Sequence, residues 1–217
     1  MSQSKIVRQS PVQSGLDGPY LLLSNSDYRL TLWKDDDVQE AIDLWNHPEV
    51  GRWACFRSYP YTTQAYKWIS NIIPSQLNSA ETFLSNNPEE VLENLKKCDL
   101  FPLSALRDKN TGKVIGFCNI GYKAPEDDKP QGTWEIAYDI HPNLQGKGIG
   151  RKLIIALLDF ARYAGIKEII AYVEVLNIPS TTFLQKLGFV YFEEKTQKWP
   201  DNKGGGERII RGYAKTL

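Results

Sequence analysis

The sequence predicts a mixed α/β fold in which helices flank a mostly antiparallel central sheet. The chain has 217 residues, of which 41% are hydrophobic, and this length and composition suffice to bury one core. Apolar side chains follow the helical period in some segments and alternate in others. In the second half, consecutive strand-like segments are separated by turn signals, which favours antiparallel pairing.

Composition excludes several classes of protein. Lys plus Arg number 26 and Asp plus Glu number 26, so the net charge is zero, which argues against a nucleic-acid-binding protein. Cys55, Cys98 and Cys118 are odd in number and widely spaced, which fits reduced thiols in a cytoplasmic protein. No Cys/His pair has the spacing of zinc ligands, so no metal is expected. We also expect no signal peptide and no membrane span, because no long apolar run occurs.

The first residues differ in composition from the rest of the chain. Residues 1–18 are rich in Ser, Gln and Gly and predict a flexible leader, with a single domain over 19–217. Alternation over 28–33 predicts the first strand. Three acids at 35–37 suit a helix start, and the helical spacing that follows is expected to end near Pro48.

The next part of the chain has the least regular pattern. Residues 51–75 are rich in aromatic side chains, and a second helix is predicted around 62–73. Residues 76–98 predict a polar helical pair around Pro88. We expect the region 76–100 to be either a helical insertion or a substrate lobe.

The pattern then changes from helices to strands. Strands are predicted over 102–108 and 114–122, and the turn at 108–112 makes them a hairpin. A polar loop over 123–132 follows, and the next strand is predicted over 133–140.

A helix with a pronounced apolar stripe is predicted from Gly148 to Ala164, with Gly165 as its C-terminal cap. The remaining predicted elements are a buried strand over 168–175, a short helix over 179–187 and strands over 189–194 and 207–214.

The loop over 145–150, Gln-Gly-Lys-Gly-Ile-Gly, joins the strand at 133–140 to this helix. Glycines at alternate positions remove three side chains, so backbone N–H groups can close on a ligand. The helix N-terminus adds unsatisfied donors and partial positive charge, which together suit a diphosphate. The chain has no Walker A sequence, and the dinucleotide fingerprint fails because Arg151 occupies its third glycine position. Spacing alone leaves a ligand-free glycine turn as the alternative.

Residues 145–150 also resemble the acyl-CoA loop, Gln-x-x-Gly-x-Gly, of the GNAT superfamily of N-acetyltransferases. A second block, Asn177-Ile-Pro-Ser180 followed by Phe-Leu-Gln-Lys-Leu-Gly-Phe at 183–189, is similar to the helix and turn that end the acyl-CoA half of this family. Residues 134–150 together with this block are most similar to the branch of ribosomal-protein N-terminal acetyltransferases. The resemblance covers roughly 113–193.

This resemblance implies a GNAT-like fold and an acetyl-CoA-dependent N-acetyltransferase. The acceptor would be a primary amine, on a protein N-terminus or a small molecule, that attacks directly. The implied partners are acetyl-CoA and the amine, and neither a metal nor a membrane is expected. The protein is expected to be a monomer or homodimer in the cytoplasm. Two alternatives stay open: a non-catalytic acyl-CoA-binding module that acts through a partner, and a nucleotide-phosphate binder of another fold.

The resemblance also implies which residues contact the cofactor. The expected pyrophosphate contacts are Gln145, Gly146, Lys147, Gly148, Ile149, Gly150 and Arg151, with Lys152 near enough to add charge. Two strands are implied to splay, so that the pantetheine arm pairs with the backbone at Tyr138, Asp139 and Ile140. Asn177 is implied to touch the pantetheine or to order a water. Both Asn177 and Ser180 are also suited to capping a helix.

Acyl transfer to an amine needs a base and a departing thiolate. Glu135 is the candidate general base because it interrupts an apolar strand just before the loop; the alternative is an ion pair at the strand edge. Asp139, on the same face, is the reserve candidate. Leu184 stands where many family members carry a Tyr that serves as the acid for the leaving group, so Ser180 or water is expected to hydrogen-bond the sulfur. The aromatic residues over 53–68 either wall the acceptor cleft or pack in the core.

A weak base favours an acceptor with a low pKa. An α-amino group has a pKa of about 7.7–8.0, whereas that of a lysine side chain is about 10.4. A much larger fraction of the α-amino group is therefore neutral at pH 7, which biases the expectation toward an N-terminal or similar amine.

Overall fold

The computed structural model describes residues 9–125 and 132–217. The strands are β1 (Val12–Gln13), β2 (Tyr20–Leu22), β3 (Tyr28–Thr31), β4 (Ala105–Asp108), β5 (Val114–Lys123), β6 (Thr133–Ile140), β7 (Glu168–Glu174), β8 (Val190–Lys198) and β9 (Glu207–Thr216). The helices are α1 (Val38–Asn46), α2 (Pro48–Gly51), α3 (Thr63–Thr82), α4 (Pro88–Leu95), α5 (Ile149–Tyr163) and α6 (Ile178–Lys186).

Within the described ranges the nine strands form one sheet in the order β1-β2-β3-β4-β5-β6-β7-β9-β8. Every neighbouring pair is antiparallel except β6 and β7, which are parallel. These two strands share one registered pair, Glu135 with Ile170. Beyond it their carboxyl-terminal halves diverge, as the family resemblance implies. The predicted mixed, mostly antiparallel fold is confirmed.

Two hydrophobic cores lie on opposite faces of the sheet. Alternation along β5 sends Cys118 and Ile120 into the larger core and Phe117 into the smaller one. The larger core contains the buried stripe of α5 and the end of α3, and the smaller one contains α1 and the start of α3. The gap between β6 and β7 is therefore bordered by different side chains on the two faces of the sheet.

Helix α3 is longer than the sequence predicts. The predicted helix ends near residue 73, and Pro74 follows directly; a proline inside a helix lacks an N–H and clashes with the preceding turn. Pro74 is exposed, however, while Ile69, Gln76 and Ala80 continue one buried face past it. Packing of that face therefore outweighs the cost of the proline. The first member of the helical pair predicted over 76–98 is the continuation of α3, and α4 is the second, capped by the side chain of Asn87.

Differences at the N-terminus come from very short strands. Residues 1–8 of the predicted leader lie outside the described residues, but Val12 is buried in β1. Strand β2 also precedes the first predicted strand. Two or three residues are too few to show alternation, so their pairing is visible only in the sheet. Residues 126–131 of the predicted polar loop likewise lie outside the described residues.

A buried ion pair fixes the start of α1 against the sheet. Arg107 of β4 and Asp37 each expose 4% of their surface. Their contact is bidentate, with Nη1–Oδ1 and Nη2–Oδ2 distances of 2.7 and 2.6 Å. Arg107 also donates to Thr31 Oγ1 at 3.1 Å and to the Gly112 carbonyl at 2.7 Å. Because these bonds satisfy the guanidinium, the pair joins β3, the β4–β5 turn and the segment before α1.

We expect Asp37→Asn to lower the free energy of unfolding by about 3 kcal/mol or more, because it leaves the buried Arg107 cation without a countercharge. Asp36→Asn is the matched control, since Asp36 is exposed next to it in sequence. Urea unfolding of the two variants measures the difference. Equal stabilities would contradict the structural role of the pair.

Candidate functional site

Two glycines of the loop between β6 and α5 adopt a backbone conformation that side chains disfavour. Gly146 and Gly148 have φ angles of +73° and +77°. A Cβ atom added at either position would meet no protein atom within 4 Å. Glycine is therefore needed at these positions for the left-handed conformation, and the space beside them is open.

Gly150 has a different role. A Cβ atom there would lie 3.3 Å from Ile140 Cδ1 and 3.5 Å from Phe183 Cζ. Its absence lets the first turn of α5 approach the end of β6 and the side of α6. The glycine pattern thus combines two requirements, an unusual backbone conformation and close packing.

The backbone amides that follow Gln145 in the loop bond to no described residue. Among residues 9–125 and 132–217, the N–H groups of 146–151 have no hydrogen-bond acceptor. The next amide, that of Lys152, donates to the Gly148 carbonyl. These donors lie at the N-terminus of a fifteen-residue helix, where the helix dipole adds partial positive charge. The arrangement suits an anion with several oxygen atoms.

Side chains hold this loop in place. Gln145 Nε2 donates to the carbonyl oxygen of Ile140 at 3.0 Å, which ties the loop to the end of β6. Lys147 and Arg151 are exposed beside the free amides. The ammonium of Lys152, which we expected to add charge to the site, instead donates to the carbonyl of Asn25 in the β2–β3 turn.

The backbone of β6 has one free edge where the strands diverge. Tyr138, Asp139 and Ile140 pair with β5 on one side, and no described residue of β7 is registered opposite them. The opening therefore begins directly before the glycine loop. An extended ligand whose phosphates lie on the loop can reach this edge.

The first turn of α6 borders the opening on the side of the larger core. Asn177 Oδ1 accepts from the N–H of Ser180 at 3.3 Å, so Asn177 caps this helix. The hydroxyl of Ser180 lies 2.8 Å from that of Tyr138, whose ring packs edge-on against Phe183 at 5.6 Å between centroids. Burial raises the pKa of Tyr138 to about 12. The family resemblance implies a contact only for the backbone of Tyr138; strand alternation places its side chain opposite those of Glu135 and Asp139.

On the other face, Asp139 is already engaged. Its Oδ2 lies 2.7 Å from Nη2 of Arg57 and accepts from Trp45 Nε1 at 3.1 Å. The guanidinium of Arg57 in turn lies over the rings of Trp45 and Phe117, at 4.5 and 5.5 Å. The reserve candidate for the base is therefore held as a countercharge, and taking up a proton would break this ion pair.

Glu135 lies farther along the same face and lines a cavity of about 330 Å³. Within the described part of the chain it forms no ion pair, so the strand-edge alternative finds no partner there. Its charge contributes to raising the pKa of Tyr172 on β7, after burial and the hydrogen bond to Glu193. The segment 96–99, directly after α4, supplies one wall of the cavity, which places the end of the 76–100 region beside Glu135.

A third acid on this face was missed in the sequence. Glu174 ends β7 with 5% of its surface exposed, and its carboxylate accepts from the N–H of Leu176 at 3.1 Å. It faces the same side as Glu135, because Ile170 is registered with Glu135 and side chains alternate along the strand. An acid inside a predicted buried strand was the available signal.

The aromatic segment is divided between core and surface. Tyr61 packs against Trp45 at 4.6 Å between ring centroids and belongs to the smaller core. Trp53 instead stacks under Arg52 at 4.4 Å, and Phe56 is almost fully exposed. Core packing therefore accounts for Tyr61, whereas a role in an acceptor cleft stays a prediction for the exposed aromatic residues.

The loop that carries Arg57 is joined to the β8–β9 connection. Lys203 is 8% exposed and donates to the carbonyl oxygens of Ala54 and Arg57. Asn202 donates to the carbonyl of Tyr59. Two segments distant in sequence, which we call the Arg57 loop (52–60) and the Lys203 turn (199–206), thus form one boundary of the face that carries Glu135.

Neither a metal site nor a membrane-spanning helix is found among the described residues. No group of three or more His, Cys, Asp or Glu side chains there is placed to hold a metal ion. No helix in these ranges is long and apolar enough to cross a membrane.

Comparison with known proteins places this geometry in a family. The family model described as the acetyltransferase (GNAT) domain matches residues 28–190, well over half of the chain. This match confirms the family to which the sequence resemblance points.

Individual relatives agree with the match. The L-amino acid N-acyltransferase MnaT of Escherichia coli is 36% identical over 92 residues, which are 42% of this chain and 53% of that protein. The chain thus spans about half the length of such curated relatives, or less.

Solved structures share the fold. The ribosomal-protein-S5-alanine acetyltransferase of Vibrio fischeri has a TM-score of 0.62 and 20% identity, covering 88% of this chain and 93% of that one. The protein yncA of Salmonella typhimurium, solved with acetyl-CoA, has a TM-score of 0.58 and 21% identity, covering 88% and 95%. At these identities the likeness concerns the fold alone.

We expect Lys203→Met to loosen the Arg57 loop, because it removes the ammonium that bonds the carbonyls of Ala54 and Arg57. Hydrogen exchange of the amides in 52–60 should accelerate, while exchange in β5 and β6 stays unchanged. Lys198→Met is the control, since that side chain is exposed. Unaltered exchange in 52–60 would show that the lysine does not hold the loop.

Proposed function

Because the chain belongs to the GNAT acetyltransferase family, we propose that it is an acetyl-CoA-dependent N-acetyltransferase that acts on a primary amine. One observation carries the proposal: the unengaged amides of 146–151 lie at the start of α5, next to the opening between β6 and β7. Together they match a molecule with a diphosphate at one end and an extended amide-containing arm. Coenzyme A has this chemistry.

The residues present fit such a cosubstrate. We assign the pyrophosphate to the backbone donors of Gly146, Lys147, Gly148, Ile149 and Gly150, with added charge from Arg151. Gln145 supports the loop through Ile140. The pantetheine arm pairs with the free edge of β6 at Tyr138, Asp139 and Ile140, and Asn177 borders it while capping α6.

Glu135 is assigned as the general base on the acceptor side. It lines a cavity on the face of the sheet opposite α5 and α6. The amine would therefore enter the opening from one face, while the cofactor is held from the other. A carboxylate there accepts the proton that the amine loses as it attacks the acyl carbon, directly or through water. Backbone N–H groups on the free edge of β6 stabilise the charge that develops on the carbonyl oxygen.

The acceptor is assigned to the class of α-amino groups. A carboxylate base is matched to an amine that is already partly neutral at pH 7, which an α-amino group is. The names of the relatives include both free amino acids and a ribosomal-protein alanine as acceptors, so a small molecule and a protein N-terminus both belong to this class. We place the protein in the cytoplasm as a monomer or homodimer, and its free cysteines support that location.

Gly148→Val is expected to abolish CoA binding, because the side chain would occupy the open space beside the amides. Gly112→Val is a matched control: Gly112 also has a positive φ, +72°, and open space around it, but lies in the β4–β5 turn. Calorimetry with CoA distinguishes loss of the phosphate site from general backbone strain. If both variants keep the parental affinity, the loop does not hold the diphosphate.

Glu135→Gln is expected to lower turnover by about 10²- to 10⁴-fold, the range for loss of a positioned acid or base, with little change in acetyl-CoA affinity. Glu168→Gln, an exposed carboxylate on β7, serves as the control. CoA release is measured with a panel of amino acids and N-terminal peptides. Parental turnover in the Glu135 variant would remove this residue from the mechanism, and binding without turnover on any amine would favour a non-catalytic module.

A further inference from the structure

We propose that the hydroxyl of Tyr138, oriented by Ser180, donates a hydrogen bond to the sulfur of the thioester and stabilises the departing thiolate. The inference rests on the proposed function and adds a catalytic residue to it. Tyr138 would be the catalytic residue, because it touches a reacting atom. Ser180 would be a positioning residue.

The position of Tyr138 is the first support. It lies on β6 three residues beyond the last pair with β7, where the strands have separated. Its hydroxyl reaches Ser180 in the first turn of α6, which follows β7 after a short connection. The two hydroxyls thus span the opening along which the acyl donor is assigned to lie.

Hydrogen-bond capacity is the second support. A hydroxyl has one proton to donate and two lone pairs. When Ser180 donates to the oxygen of Tyr138, the phenolic O–H stays free to point at another acceptor. No other partner of the Tyr138 hydroxyl occurs among the described residues. Leu184 of the same helix is fully buried hydrocarbon and cannot take this role.

The packing of the ring fixes where that O–H can point. Phe183 holds the ring edge-on, and Gly150 lets the first turn of α5 pack against Phe183 at the same place. The orientation therefore exists before the ligand binds. Such preorganised donors stabilise developing charge without reorganisation during the reaction.

Acidity determines what the hydroxyl does. The pKa of Tyr138 is about 12, whereas that of a thiol is about 8.5. The phenol therefore keeps its proton and stabilises the sulfur by hydrogen bonding, without giving the proton up.

The step balances as follows. The amine nitrogen forms a bond to the acyl carbon, the carbon–sulfur bond breaks, and its electron pair stays on sulfur. The proton lost by nitrogen goes to Glu135 and from there to water. The thiolate leaves hydrogen-bonded to Tyr138 and takes its proton from water.

Tyr138→Phe tests this directly, because it keeps the ring and its packing on Phe183. We expect kcat to fall by about 10- to 100-fold, the usual effect of one hydrogen bond to a charged group, with an unchanged KM for acetyl-CoA. Tyr163→Phe is the control; it removes another part-buried hydroxyl, which bonds the Ser85 carbonyl away from the opening.

A titration of bound CoA separates a catalytic from a structural role. The ultraviolet absorbance of the thiolate reports the pKa of the bound thiol. A hydrogen bond to sulfur lowers that pKa, so it should be about 1 pH unit higher in Tyr138→Phe than in the parent and in Tyr163→Phe. Ser180→Ala should give an intermediate value, since the phenol remains but loses its partner.

The outcomes are distinct. If the parent binds CoA and the thiol pKa is equal in parent and Tyr138→Phe, the inference is overturned and the proposed function stands. If Ser180→Ala raises the thiol pKa and Tyr138→Phe does not, Ser180 contacts the sulfur and the inference is likewise overturned. If the parent does not bind CoA, the proposed function fails together with the inference.

Discussion

The divergence of β6 from β7 after a single registered pair determines the architecture of the site. Two parallel strands that stayed paired would satisfy each other's amides and close the sheet. Gly150 lets the first turn of α5 pack against Ile140 at the end of β6, so the N-terminus of the helix lies next to the point where the pairing stops. The free amides of the loop and the unpaired edge of β6 are therefore close together.

This opening separates the site into two chemically different sides. The side of the larger core presents hydroxyl groups on a packed surface, Tyr138 and Ser180. The opposite side presents carboxylates, Glu135 and Glu174, near an ion pair that neutralises Asp139. Strand alternation alone makes this division, because neighbours along β6 face opposite sides. Carboxylates and hydroxyls can thus face one ligand from opposite sides without bonding to each other.

Local features of the site were predictable, and its long-range contacts were not. The glycine loop, β6 and α5 follow from periodicity and backbone chemistry, because each depends on residues close in sequence. The strands β1 and β2 are too short for their pattern to show, and α3 continues past Pro74 only because a buried face lies beyond it. The pairs Tyr138–Ser180 and Asp139–Arg57 join residues 42 and 82 positions apart (180 − 138 and 139 − 57). Strand β6 carries one member of each pair, Tyr138 and Asp139, so only alternation together with the tertiary fold identifies their partners.

The bonds between the Arg57 loop and the Lys203 turn have an evolutionary consequence. A lysine whose proton donors are committed to backbone carbonyls of another segment constrains the path of that segment, whatever its side chains are. Exposed residues such as Phe56 can then vary freely, whereas the course of either connection cannot change without the other. Change in such a scaffold would proceed by exchange of side chains on a fixed backbone, and an insertion in one connection would have to be matched by a change in the other.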